Sequence, residues 1–359
     1  MDRNTLYWKV LGRGKIFGNK INNLFNIKMA LKMSRVNAHK WRKEHVKERG
    51  HSVIDRKQLK KIKEYAKDRF GSKDYWPWLA TYSEIRGEFR EGWIPYDYYR
   101  FKLISELNIE AFSKLSGIKT FDFRLFDDKV VEPVAICLGN RVYRADGADV
   151  CVDSLIDQLK ELSCELIIKP DEGGGGKNIQ FIHSDKIGKD HILADGSSVI
   201  QKVVNQHPLL KRVNPSSINT FRVLSCINSK GEVDIKFIYL RFGVGGSRLD
   251  NISRGGGWVY INPDGSADDC SYNLEGFELV RVHPDTKVKF SSLSFPFYDK
   301  VVQLCVESHR KMPYAALIGW DVFIDEEGNP KLIEWNAKNP FFWPVEARYG
   351  PFWQADYLL

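Results

Sequence analysis

Four consecutive glycines interrupt this chain directly after an apolar run that ends in lysine and proline: Leu166-Ile167-Ile168-Lys169-Pro170-Asp171-Glu172-Gly173-Gly174-Gly175-Gly176-Lys177. Glycine loses more backbone freedom on ordering than any other residue, so such a run between two strands needs a reason. Successive backbone N–H groups approaching an anion give one, and a loop that moves to exclude water gives another. The segment is not a Walker loop, because Asn178 stands where Ser or Thr is required and a strand follows where a helix should. Nor is it a dinucleotide-binding fingerprint. A ligand-free glycine hairpin would look similar, but Lys169 at the end of an apolar strand calls for an anionic partner.

About 150 residues later, Gly319-Trp320-Asp321-Val322 and Leu332-Ile333-Glu334-Trp335-Asn336 flank the turn Asp325-Glu326-Glu327-Gly328-Asn329. Residues two apart on a strand share a face, so Glu334 and Asn336 point the same way, and Asp321 meets them across the hairpin. Such hard oxygen donors suit Mg²⁺ shared with nucleotide phosphates. The plainer reading of the hairpin alone is a pair of ion-paired carboxylates.

The net charge of +8 is unevenly distributed: residues 1–69 carry 20 Lys/Arg against 6 Asp/Glu, which leaves the remainder acidic. Apolar residues Ile21, Leu24, Phe25, Ile27 and Leu31 alternate with lysines and arginines in a helical pattern. This predicts a basic, mainly helical extension over 1–92 that docks on an anionic membrane or an acidic glycan, or lies on the body with a solvated basic face. Ser52-Val53-Ile54-Asp55 resembles a capping box for a helix carrying Leu59, Ile62, Ala66 and Phe70 and stopping at Gly71. The aromatics between Tyr75 and Phe101 fill a core or stack on sugar rings. From about residue 119, short apolar runs broken by Gly, Asn and Asp predict an α+β class with mostly antiparallel strands. The six cysteines show no metal or disulfide spacing. No apolar run reaches membrane-spanning length, so the expected location is the cytoplasm, with peripheral contact at the inner face of the membrane. Nucleic acid is not expected as a partner.

Lys169-Pro170 before the glycine loop, Val199-Ile200-Gln201-Lys202-Val203-Val204 some 25 residues later and the Asp321, Glu334-x-Asn336 terminus resemble the ATP-grasp fold. Asn214-Pro215-Ser216-Ser217-Ile218-Asn219-Thr220-Phe221-Arg222-Val223, Asp250-Asn251-Ile252-Ser253-Arg254-Gly255-Gly256-Gly257 and Ile318-Gly319-Trp320-Asp321 are similar to its sugar-transfer-associated family, whose genes tend to accompany polysaccharide biosynthesis. The resemblance implies two α+β subdomains gripping ATP, a flap-bearing one over 93–205 and a metal-bearing one over 206–359. Lys119, Lys169, Gly173 to Gly176 and Lys177 would hold the phosphates. Gln201, Lys202 and Val203 would hold the adenine, and His207 or Gln206 the ribose. Gln201 departs from the Glu common at that place. Asp321, Glu334 and Asn336 would hold one or two Mg²⁺, while Arg222, Asn251 and Arg254 would act on the reacting groups, with Arg241 and Lys338 as weaker candidates. The implied activity is a ligase that joins a carboxylate to an amine through an acylphosphate. Its implied reaction is amidation of a uronic-acid carboxyl, by an amine such as an amino acid, or attachment of an amino acid to an amino sugar, in capsule or O-antigen synthesis. The alternative is a phosphotransferase acting on a sugar.

Overall fold

The computed structural model describes residues 3–171, 178–193, 196–250, 252 and 255–353, with side chains from residue 26 onward. The chain divides into two compact units, Met1–Ile104 with Glu346–Trp353, and Ser105–Val345 with the C-terminal residues.

Three helices frame the first unit: α1 (Arg3–Arg49), α2 (Arg56–Phe70) and α3 (Trp76–Arg86). Helix α2 starts three residues later than the sequence suggests, with Asp55 rather than Ser52 as its cap. Asp55 accepts from the Gln58 N–H at 2.7 Å while Gln58 Oε1 accepts from the Asp55 N–H at 2.8 Å, a reciprocal box that satisfies two orphan donors. Ser52 donates instead to Glu84 at 2.6 Å. The stop at Gly71 is as expected, with φ +78°, a left-handed turn that glycine adopts without steric cost. Helix α1 is tied to α3 by Trp78 Nε1–H donating to Ser34 at 3.0 Å and the Thr81 hydroxyl donating to the Ala38 carbonyl at 2.9 Å. Ion pairs from Arg35 to Asp97 and from Arg42 to Glu84 add to this. Burial lifts the Asp97 carboxyl to about 6 against the pull of Arg35. Of the aromatic stretch, Trp78, Tyr82, Trp93, Tyr96 and Tyr99 are buried, edge to face or tilted against one another, so they form core rather than an open sugar platform.

Two antiparallel sheets make up the second unit. The first has five strands in the order β2-β1-β5-β3-β4: β1 (Pro133–Leu138), β2 (Arg141–Tyr143), β3 (Glu165–Pro170), β4 (Gln180–His183) and β5 (Ser197–Lys202). Helix α5 (Val152–Glu161) buries Leu155, Ile156 and Leu159 in the core of this sheet. Six strands in the order β11-β10-β6-β7-β8-β9 form the second: β6 (Phe221–Ile227), β7 (Val233–Phe242), β8 (Gly257–Ile261), β9 (Ala267–Tyr272), β10 (Leu317–Ile324) and β11 (Pro330–Asn336). Its core includes residues of α4 (Lys119–Phe126), α6 (Pro208–Val213) and α7 (Tyr298–Arg310). Together the two sheets give an α+β architecture.

Beneath the second sheet runs a buried polar chain. Trp320 Nε1–H donates to Ser225 Oγ at 2.7 Å, Ser225 Oγ lies 2.7 Å from His309 Nδ1, and His309 Nε2 lies 2.8 Å from the Ala315 carbonyl. Burial pushes the His309 imidazole down to about 4, so the folded protein holds it neutral. The unfolded chain takes up that proton below about 6.5. Stability is therefore full above about 6.5 and declines as pH falls toward 4. Moving from pH 7 to pH 5 is expected to cost about 2 kcal/mol through this one group. Urea unfolding at the two pH values checks it: His309→Gln should flatten this part of the profile, and an unchanged slope would exclude His309 as its source.

Candidate functional site

Both sheets contribute to one cavity of about 440 Å³. Ile167 and Lys169 reach it from β3, Phe181 from β4 and Gln201 from β5; Arg222 reaches it from β6, Arg241 from β7, Asp321 from β10 and Glu334 and Asn336 from β11. Val131, Ile167, Phe181, Val203, Leu249 and Ile333 supply apolar wall, while Lys169, the two arginines and the acidic residues supply charge. Apolar lining with a few convergent polar groups is the usual character of a small-molecule site.

Strand register explains how distant residues meet. Glu334 pairs with Asp321, Asp321 with Arg222 and Arg222 with Tyr239, so four strands present one row on one face of the sheet. A bulge follows at once: after Asp321↔Glu334 the next pair is Val322↔Leu332, which leaves Ile333 as the extra residue. Bulges re-aim side chains, and here Ile333 and Glu334, neighbours in sequence, both line the cavity.

Asp321 is buried and held on both oxygens. Arg222 Nε donates to Oδ1 at 2.5 Å and Arg222 Nη2 to Oδ2 at 3.0 Å, while Arg241 Nη2 lies 3.1 Å from Oδ2. Arg241 is fixed in turn: its Nε donates to Thr220 Oγ1 at 2.9 Å and faces Asp250 Oδ2 at 3.3 Å, and Asp250 also accepts from the Thr220 N–H and hydroxyl. Burial, then the negative charge of Asp321, push the Glu334 carboxyl up, against Lys119, Arg222 and Arg241. Lys169 is lowered to about 8 by burial first and by Lys119, against the charges of Glu334 and Asp122. Burial and Glu334 raise Asp122 to about 8 although it accepts from Trp335 Nε1 at 2.9 Å.

These residues fit a nucleotide with a hard cation. Among the described residues, Lys169 has no carboxylate within 4 Å, so a cation with depressed pKa lines the cavity without an ion pair. The facing Asp321 and Glu334 carboxylates repel, and Asn336 Nδ2 is buried without a hydrogen-bond partner. A phosphate beside Lys169 and the Asn336 Nδ2–H, and a cation beside Glu334, would relieve these strains. Asp321 reaches a cation only by sharing its oxygens with the two arginines. Among the described residues, no group of three His, Cys, Asp or Glu has metal-binding spacing.

Lys169, Gln201, Lys202, Val203, Arg222, Asp321, Glu334 and Asn336 all border the cavity. Lys119, at the start of α4, borders a smaller hollow that shares Lys169 and Gln201. Gln201 Nε2 donates to the Val131 carbonyl at 2.6 Å, and the Val203 N–H is already donated to the Glu165 carbonyl. His207 is not brought to the cavity: its ring accepts from the Leu209 N–H at 3.2 Å, capping α6, and stands edge-on to Phe297. Gln206 borders the cavity with its amide committed, donating to the Asn214 and Ser217 carbonyls and accepting from the Asn219 N–H. Lys338 is exposed and not part of the lining. Gly173, Gly174, Gly175, Gly176, Lys177, Asn251 and Arg254 lie outside the described residues.

Several lining residues escaped the sequence reading. Thr220 and Asp250 stand within motifs that carried the resemblance, which was the available signal. Arg248 and Phe181 had none: the Arg248 guanidinium lies 3.7 Å from the Phe181 ring centroid and pairs with both Glu165 oxygens, at 2.8 and 2.6 Å.

Residues 188–351 match the family model described as sugar-transfer associated ATP-grasp. Among solved structures, a biotin carboxylase–beta-gamma-ATP complex from Campylobacter jejuni is 13% identical with a TM-score of 0.38, covering 62% of this chain and 40% of that one. An ADP complex of purK, N5-carboxyaminoimidazole ribonucleotide synthetase, is 10% identical with a TM-score of 0.39, covering 63% and 45%. The ATP-grasp ligase PsnB with minimal precursor, Mg and ADP is 13% identical with a TM-score of 0.33, covering 70% and 56%. This chain thus spans 40–56% of the length of those three chains. No curated protein sequence matches it. Residues 188–351 thus resemble the sugar-transfer associated ATP-grasp family, whose model they match.

Proposed function

We propose that this protein is an ATP-dependent carboxylate–amine ligase. The observation that carries the reading is Lys169: a desolvated ammonium without an ion pair among the described residues, lining the same cavity as Arg222, Arg241 and the Asp321–Glu334 pair. A triphosphate there would pair with Lys169 and the arginines, and the cation it carries would offset the Asp321 and Glu334 carboxylates. Phe181, Ile167 and Leu249 would enclose the base, Lys169 would neutralise phosphate oxygens, and Glu334 with Asn336 would hold Mg²⁺. Bound there, Mg²⁺ would supply charge neutralisation at the phosphates.

Arg222 and Arg241 are held rigidly by Asp321, Asp250 and Thr220. Rigid donors cost little reorganisation as charge develops, so they suit a transferring phosphoryl group or an anionic tetrahedral centre. In this reading the acceptor carboxylate takes the γ-phosphoryl group, ADP leaves, and the amine then displaces phosphate from the acyl carbon. The sugar association of the matched family favours a uronic acid as the carboxylate and an amino acid as the amine, or an amino acid joined to an amino sugar. Polysaccharide synthesis in the cytoplasm would be the setting.

Release of ADP should require a carboxylate and an amine together. A screen of amino acids against uronic-acid glycans, followed by mass spectrometry of the product, tests this. A phosphorylated sugar formed without any amine would replace the ligase reading with the phosphotransferase one.

A further inference from the structure

Helix α1 presents one straight outward stripe: Met29, Met33, Val36, Lys40, Lys43 and Lys47, at steps of four and three residues, all exposed. Its upper half is apolar, with Met29 50%, Met33 53% and Val36 49% exposed. Its lower half is cationic, and Lys32 flanks the apolar half. The opposite stripe is already occupied: Ser34, Ala38 and His45 are buried, and Arg35 and Arg42 are paired with Asp97 and Glu84. The helix is thus held on one side and bare on the other. From Arg3 to Lys43 the sequence contains 11 Lys/Arg and no Asp or Glu.

We propose that this face docks on an anionic lipid bilayer, with Met29, Met33 and Val36 entering the headgroup–acyl boundary and Lys32, Lys40, Lys43 and Lys47 against the headgroups. Apolar side chains of intermediate size beside lysines are what an interfacial helix needs, since the stems of the lysines lie along the boundary while their ammonium groups stay hydrated. A four-three spacing also suits a seam between two copies of the helix. Three lysines in that seam would then face their own counterparts, and of them only Lys40 pairs with an acid among the described residues, Glu44 at 3.8 Å, so charge favours the anionic surface. The inference stands on the first unit alone and does not depend on the ligase reading.

The full chain should co-sediment with vesicles of phosphatidylcholine plus phosphatidylglycerol and not with phosphatidylcholine alone, and the binding should weaken with salt. Changing Lys40, Lys43 and Lys47 to glutamine should lower the partition constant about a hundred-fold, near a factor of five per residue. Changing Met29, Met33 and Val36 to serine should lower it about ten-fold or more and remove the salt-resistant part. All six positions are exposed, so an unchanged thermal midpoint confirms that the variants fold. Equal binding to both vesicle types, or none to either, would overturn the proposal. So would capture by an acidic polysaccharide in place of vesicles, or a vesicle-free dimer abolished by the serine changes.

Discussion

Lys169→Met is expected to weaken ATP binding about a hundred-fold, the size of a lost charge-assisted hydrogen bond to a desolvated anion. Methionine keeps most of the aliphatic stem, so the apolar contacts of β3 persist. The ammonium it removes is held in the fold at a cost, as its lowered pKa shows, so the apo protein should be no less stable than wild type. Titration calorimetry with ATP and Mg²⁺, run beside a thermal melt of the apo protein, separates the two effects. A variant that binds ATP as tightly as wild type would remove Lys169 from the site and take the nucleotide reading with it.

The second large effect concerns Asp321 and its arginines. Asp321→Ala leaves Arg222 buried without its carboxylate, while Arg241 retains Asp250. Breaking one side of a buried pair typically costs about 3–5 kcal/mol. Arg222→Met should cost less, because Arg241 remains to hold Asp321. Combining the two should cost less than the sum of the single changes, since the double variant leaves no orphaned charge between those positions. Chemical unfolding of the four proteins gives the cycle, and strictly additive losses would mean that the pair is not a coupled unit. Turnover should vanish in both single variants, because each disturbs the donors proposed to face the transferring group.

Much of this site was legible in the sequence because its residues sit in regular strands. Lys169 at the end of an apolar run, and Glu334 and Asn336 two apart on the other side of a turn from Asp321, follow from period-two alternation and hairpin pairing alone. Arg222 came with the resemblance. What escaped depends on single-residue irregularities and on loops. The bulge at Ile333 has no marker in a run reading Leu332-Ile333-Glu334, and Arg248 meets Glu165 and Phe181 only because a loop after β7 reaches the first sheet. His207 shows a related competition: a histidine before Pro208 can serve a ligand or cap a helix, and here its ring accepts from the Leu209 N–H. The start of α2 shows the same competition, with Ser52 taken by Glu84 and the capping role passing to Asp55. Strands β8 and β9 carry mixed polar and apolar residues, including Asp268 and Asp269, and had no clear periodic signature.

The row Glu334–Asp321–Arg222–Tyr239 bears on how this protein can change over evolutionary time. Every member owes its place to strand register, and a slip of one residue in β6, β10 or β11 would turn its contribution to the opposite face. Insertions or deletions inside these strands would thus disassemble the row even where no member is replaced. The turns Asn228–Gly231 and Asp325–Asn329 lie outside it, and lengthening a surface loop costs little chain entropy. A change in the length of the Asn228–Gly231 turn is therefore expected to leave the row intact, whereas the spacing from Glu334 to Asn336 has to stay fixed.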